Sequence, residues 1–210
     1  KIQMNLKIAR CKISKKSKSI FLLNQTHSNK FIFIKKNLKF LKKRPFADAV
    51  VTNQEKLPIA VLTADCVPIL LYDYKKNMIA AIHAGWKGAY KGIINKVIKF
   101  MIKKGCKSKN IHAAIGPCIS QKNYNVKKDF LKKFLKKDKK NKIYFKFSHN
   151  KIFFDLRKYI SFQIKSFGIN KLEIINKDTF SGKNSYFSAR RSLLKKENDY
   201  GRNISLIMIN

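Results

Sequence analysis

The sequence predicts an α+β (mixed α/β) fold, layered, with mixed β-sheets flanked by helices, and three observations carry that expectation. Four short apolar runs, at 49–52, 59–64, 67–72 and 78–84, follow one another between turn residues. They are nearly continuous in apolar character rather than alternating, which suits strands buried on both faces. Further runs at 111–116, 172–176 and 204–209 are separated by stretches of helical spacing, so strands occur both in succession and interleaved with helices. A doubly wound sheet would alternate more strictly. With 210 residues, 45% of them hydrophobic, the chain is expected to form one domain over residues 1–210. A domain of that size buries roughly 70% of the surface its unfolded chain exposes, so it needs no covalent staples.

Taken in order, the N-terminal segment KIQMNLKIARCKISKKSKSIFLL is basic, but its apolar run is too short for a secretory core. Because the numbering begins at Lys1 and not at Met, the N-terminal part is expected to be shortened. Residues 29–46 form a low-complexity stretch rich in Lys, Phe and Ile. After the four apolar runs, Ile93, Val97, Phe100 and Met101 fall at helical spacing, and Gly105 is a stop signal. The run at 111–116 leads into a turn, PCIS. In the second Lys-rich stretch, 127–142, Phe130, Leu131, Phe134 and Leu135 share one helical face. A surface helix packing on its own core is the expectation there, ahead of a membrane-surface or calmodulin-like helix. The last third reads as a helix over 153–167, a strand at 172–176, a polar loop and a final strand at 204–209.

The net charge of +37 raises nucleic acid as a partner, yet 42 of the 48 basic residues are Lys and only 6 are Arg. Readers of nucleic acid favour the planar arginine fork. The lysines are spread from Lys1 to Lys196, and with abundant Asn, Ile and Phe they fit compositional drift. The expectation is non-specific anion binding and no specific nucleic-acid partner. Cys11, Cys66, Cys106 and Cys118 form no C-x-x-C pair, which points to a reducing compartment. No apolar stretch approaches about 18 residues, so a cytoplasmic protein with no membrane partner is expected.

Three segments place reactive side chains at the edges of the apolar runs: NQTHSNK with His27, TADCVP with Asp65 and Cys66, and AAIHAGWKG with His83. Gly85 and Gly88 beside the single Trp allow backbone to approach a ligand closely. Spacings of 39 and 17 residues match no local metal motif, and a lone His or Cys beside an apolar run is ordinarily a core residue. Cys66 could equally act as a nucleophile with His83 as its base.

ADCVP, HAGWKG and IGPCI occur in that order, with QTH and ADAVVT before them and FSARR…GR near the end. From about residue 24 to the C-terminus this resembles the YfiH-type family, known as a laccase-domain or multicopper polyphenol oxidase family that includes purine nucleoside phosphorylases. The resemblance implies a metal triad of His27, Cys66 and His83, holding Zn2+ with a fourth position open. The same donors suit copper, but multicopper chemistry needs more ligands, and only His112 and His149 remain. It further implies phosphorolysis of adenosine, inosine, guanosine or methylthioadenosine, with adenosine deaminase activity in addition. Cys66 and His83 would then be catalytic through the metal, and Asp65 would orient a ligand or move a proton. Lys87, Arg190 and Arg191 are the candidates for holding phosphate.

Two departures stand out. The family commonly carries Arg where this chain has Lys87, and the Gly/Ser turn and Ser-Leu-Asn motif expected before QTH are missing from residues 1–24. Cys118, after Gly116-Pro117, is expected to line the site without being a ligand. The alternatives to the nucleoside enzyme are a cysteine-dependent amidase of peptidoglycan precursors and a non-catalytic basic nucleic-acid-binding protein.

Overall fold

The computed structural model describes residues 2–13, 19–35 and 43–210. Positions 36–42 of the first Lys-rich stretch therefore lie outside the described residues, as do 14–18 of the N-terminal basic segment. Six strands make the central sheet: β1 (Phe31–Ile34), β2 (Ala49–Thr52), β4 (Val67–Asp73), β5 (Met78–Ala84), β6 (Ile111–Ile115) and β10 (Lys171–Ile174). Their order is β1-β2-β5-β4-β6-β10. The outer pairs β1–β2 and β6–β10 are parallel, and the three inner pairs are antiparallel.

Both faces of this sheet are covered, which explains the continuous apolar runs. On β5, Met78, Ala80, Ile82 and Ala84 join the core beneath the helices, while Ile79 and Ala81 join a second core on the opposite face. On β2, Ala49 and Val51 face the first core and Val50 the second. Successive side chains of a strand point to opposite faces, so a strand covered on both sides is apolar at every position. The first face is covered by α3 (Ile93–Lys103) and α5 (Leu156–Lys165). The second is covered by a two-stranded antiparallel ribbon of β3 (Ile59–Thr63) and β11 (Asn203–Ile207). The layered mixed α/β expectation is met.

Helix α3 buries Ile93, Ile94, Val97, Ile98 and Met101 along one face, and Gly105 ends the segment at φ +91°. The second Lys-rich stretch forms α4 (Lys128–Lys137), whose Phe130 and Phe134 stack at 4.7 Å and meet Phe154 at 5.0 and 4.8 Å. It covers its own core, as the spacing predicted. Among the described residues no helix is long and apolar enough to cross a membrane.

Four features differ from the sequence reading. Helix α1 (Ile2–Ile13) occupies a segment with no expected element. Strand β1 arises inside the low-complexity stretch, because parallel pairing with β2 gives its backbone a partner. The helix expected over 153–167 starts three residues later. Phe153 and Phe154 end β9 (Lys151–Phe154), which lies between β7 (Asn125–Val126) and β8 (Phe145–Ser148) in a small sheet. Asp155 then caps the helix by accepting from the Lys158 backbone N–H at 2.8 Å. Finally, the polar loop before β11 contains α6 (Ala189–Leu194), capped by Ser188.

Candidate metal centre

His27, Cys66 and His83, far apart in sequence, offer ligand atoms that all lie within 4.8 Å of one another. His83 is the penultimate residue of β5 and is 3% exposed, Cys66 lies in the turn between β3 and β4, and His27 sits in the loop before β1. Cys66 Sγ is 3.7 Å from His27 Nε2, and the two imidazole rings meet edge-on at 4.8 Å between centroids.

The loop carrying His27 is clamped on both sides. Gln25 donates to the Leu62 carbonyl at 2.7 Å and accepts from the Leu62 N–H at 2.8 Å, which fixes the QTH segment to β3. His27 itself adopts φ +56°, a conformation non-glycine residues rarely take, and its N–H donates to Asp48 Oδ1 at 2.9 Å. Asp48 also accepts from the backbone N–H and hydroxyl of Ser28, both at 2.6 Å, and from the N–H and hydroxyl of Thr26 at 3.2 and 3.3 Å.

Asp48 was not singled out from the sequence. It follows from register: Ala49 pairs with Ile82 across β2 and β5, so Asp48 stands opposite His83. The His83 N–H donates to the Asp48 carbonyl at 2.7 Å, and His83 Nδ1 lies 2.8 Å from Asp48 Oδ1. That contact occupies Nδ1 and leaves Nε2 as the nitrogen for a metal, the usual carboxylate–histidine–metal relay. A lone carboxylate just before the apolar residues Ala49, Val50 and Val51 was the available signal.

The electrostatics follow. Burial would raise the Asp48 carboxyl, but hydrogen bonds from His83 and Ser28 overcome it and hold the group well below the usual carboxylate range. Burial would lower His83, yet its bonds to Asp48 and Cys66 push it up to about 9. Burial would raise the Cys66 thiol, yet bonds to His27 and His83 hold it at about 7. Between about pH 7 and about pH 9 this favours a thiolate beside an imidazolium, a pair whose remaining proton a metal ion can displace.

The donor set fits a metal ion on a structural observation independent of its chemistry. A Cβ added to Gly85 would lie 2.9 Å from both Cys66 Sγ and His27 Cδ2, so the glycine of HAGWKG is what lets the ligands close up. Two clefts flank the cluster, both lined by His27 and Cys66. One, of ≈ 310 Å³, is walled by Asp65, Lys87, Trp86, Tyr124 and Arg190. The other, of ≈ 450 Å³, opens towards Gln25, Tyr200 and Arg202.

The remaining expected residues separate by position. Lys87 and Arg190 line the first cleft. Arg190 Nη1 donates to Asn125 Oδ1 at 2.6 Å, and its guanidinium lies 5.4 Å from the centre of the Tyr124 ring. Arg191 instead gives its guanidinium to the carbonyls of Thr179, Phe180 and Tyr186, and it lines neither cleft. Asp65, at φ +82°, is equally committed: Oδ1 accepts from the Thr179 hydroxyl and Oδ2 from the Arg190 N–H, both at 2.7 Å. It thereby ties the Cys66 turn to the helix that carries Arg190. Cys118 does not line the site; it is fully buried with Arg157 Nε at 3.2 Å from its sulfur. Tyr124, not singled out from sequence, has its hydroxyl pushed well above the ordinary phenol range by burial and by the nearby Cys66 charge.

Comparison with known proteins shows the family and the fold. The family model of multi-copper polyphenol oxidoreductase laccases matches residues 1–210. The chain belongs to this family. A Rickettsia conorii relative named purine nucleoside phosphorylase is 37% identical over 191 residues, covering 90% of this chain and 77% of the relative. A Haemophilus influenzae protein of the same name is 33% identical over 188 residues, covering 88% and 72%. A Neisseria meningitidis protein of the DUF152 group superposes at a TM-score of 0.84 with 27% identity, over 100% of this chain and 81% of that one. Bacillus licheniformis YfiH shares the fold at a TM-score of 0.81 with 24% identity, over 96% and 79%.

The laccase description of the family asks for several copper sites, whereas the described residues gather one candidate cluster. Among the described residues His27, Cys66 and His83 are the one group of three or more His, Cys, Asp or Glu gathered closely enough to hold a metal. His112 contacts Lys171 Nζ at 3.2 Å, and His149 contacts the Ser148 hydroxyl at 2.9 Å, both away from the cluster.

Proposed function

We propose that this family member is a zinc-dependent purine nucleoside phosphorylase that cleaves adenosine, inosine, guanosine or methylthioadenosine with phosphate and also deaminates adenosine. The observation that carries the reading is the His27–Cys66–His83 cluster, two of whose members, His27 and Cys66, line a cleft walled by aromatic and cationic side chains. The names of the relatives support it. One thiolate and two imidazoles suit zinc, which supplies a Lewis acid with an open position when bound.

The chain's own groups divide the rest of the work. Trp86 and Tyr124 offer flat apolar surface to a purine, as aromatic walls of nucleoside sites do. Lys87 and Arg190 supply positive charge for phosphate, whose oxygen displaces the base at the anomeric carbon. Lys87 gives a point charge, whereas the Arg190 fork, steadied by Asn125, gives direction. Asp65 positions Arg190 through its backbone and so acts at one remove from the substrate. Asp48 holds His83 in one orientation and tautomer. The four free thiols support a reducing, cytoplasmic setting.

Purified zinc-loaded protein incubated with adenosine, with and without phosphate, tests this directly. Adenine and ribose 1-phosphate appearing only with phosphate, and inosine appearing in both, are the expected products. Unchanged adenosine in both reactions, or full activity in Cys66→Ala, overturns the reading.

One observation favours a second reading. Asp48, His83 and Cys66 lie in the order of an acid–base–nucleophile relay, and the thiol is held at about 7. That would suit a cysteine hydrolase, such as an amidase of peptidoglycan precursors. A relay has no use for His27 at 3.7 Å from the same sulfur, and this supports the metal site. Stoichiometric zinc with Cys66 protected from iodoacetamide distinguishes the two; rapid labelling of metal-replete protein favours the hydrolase.

A further inference from the structure

The cleft over the metal cluster does not end at Arg190. A second groove of ≈ 590 Å³ shares Trp86, Tyr124 and Arg190 as a wall with it and continues along the start of α4. Its far side carries Phe130, Lys127 and Lys133. The lining thus brings three cations, Lys127, Lys133 and Arg190, against one carboxylate, Asp129. Trp86 lies at the junction with an ammonium group near it from either cleft: Lys87 Nζ is 5.8 Å and Lys133 Nζ 5.4 Å from the ring centre. Phe130 meets the same ring edge-on at 5.0 Å, so the wall is held by packing rather than left to solvent.

We infer that this groove is an anionic-extension subsite: it takes the phosphate of a phosphorylated nucleoside whose base and ribose occupy the metal cleft. The inference rests on the nucleoside reading of that cleft. The chemistry is complementary, since a planar apolar wall in a groove lined by three cations matches a ligand that joins a flat ring to a phosphate. The metal cleft alone, ≈ 310 Å³, is at the small end for a ligand site, and the joined space accommodates a longer substrate. The bulk charge of +37 attracts any anion, so what marks this groove is selectivity for the joined molecule over its parts.

Trp86 is the sole tryptophan, and its fluorescence reports both clefts. Zinc-loaded full chain is titrated separately with inosine, inosine 5′-monophosphate and inorganic phosphate at fixed ionic strength, since inosine without phosphate is not turned over. The monophosphate is expected to saturate the signal at about tenfold lower concentration than inosine or inorganic phosphate, the order of one charge-assisted contact. Lys127→Ala/Lys133→Ala is expected to remove that difference and leave the inosine midpoint unchanged. Lys109→Ala/Lys171→Ala, at the β6–β10 edge, is expected to change neither. Equal midpoints for the monophosphate and either of its parts overturn the inference while leaving the nucleoside reading intact. So does an equal loss of preference in the edge variant, which would assign it to bulk charge. A monophosphate response without any inosine response keeps the phosphate subsite and overturns the nucleoside reading, and silence towards both overturns each.

Discussion

Replacing Gly85 by alanine is expected to weaken the metal centre far more than the fold. The added methyl would sit 2.9 Å from Cys66 Sγ and 2.9 Å from His27 Cδ2, with His27 Nε2 at 3.6 Å. Non-bonded heavy atoms settle at about 3.5–4.0 Å, so ligand and methyl must part by about 0.5–1 Å. Metal–ligand distances tolerate only about 0.2 Å. The backbone contributes no penalty, because Gly85 sits at φ −71°, ψ 167°, where alanine is at ease. Overpacking costs about 1–3 kcal/mol, and the lower entropy of the unfolded alanine chain returns about 0.4–1 kcal/mol. His27 is exposed and can swing away, so the metal-free fold loses at most about 2.6 kcal/mol. Zinc affinity, which needs all three ligands converging, falls by about 10–100-fold, as when the support of a metal site is disturbed. Competition against a chromophoric chelator measures the affinity, and thermal melts in excess chelator measure the metal-free fold. Gly182→Ala, with open space around its Cβ, is the neutral control. Wild-type zinc affinity in Gly85→Ala would refute the argument that these two ligands close around a glycine.

Three further outcomes follow from the same geometry. Asp48→Asn removes the charge that holds His83 at about 9, so the His83 pKa drops towards ordinary imidazole and zinc affinity falls about 10–100-fold; NMR titration of the ring and chelator competition read the two effects. In metal-free protein the Cys66–His83 pair holds one proton between about 7 and about 9, two below that window and none above it. Zinc binding should therefore release more protons from this pair as pH falls, and affinity should rise with pH up to about 9; calorimetry in buffers of different ionisation enthalpy counts them. Arg190→Ala is expected to raise the KM for phosphate with the melting temperature kept, whereas Arg191→Ala strands three carbonyls and lowers the melting temperature; equal effects on both measurements would contradict the separation drawn between them.

The fold was legible wherever burial on two faces wrote itself into composition. The runs at 49–52 and 78–84 coincide with β2 and β5, because a strand between two cores admits little else. Helix α3 was legible from its single apolar face. Strand β1 and helix α6 were not, because both are short and drawn into shape by neighbours: one by pairing with β2, the other by Ser188 and Asp65. Lys87 and Arg190 were found at the cleft, but nothing local told Arg190 from Arg191, since the difference lies in which one meets backbone carbonyls.

The sequence by itself determined the layered architecture, through apolar periodicity, and the family, through the order of short motifs; His27, Cys66 and His83 were put forward by the resemblance to that family. Only the tertiary structure decided that they converge, that Asp48 steadies His83 across a ladder, and that Gly85 leaves room for two ligands. The physical reason is that contacts between residues separated by 17 to 58 positions depend on strand register and turn geometry. Periodicity records which face a residue takes; it does not record what stands opposite.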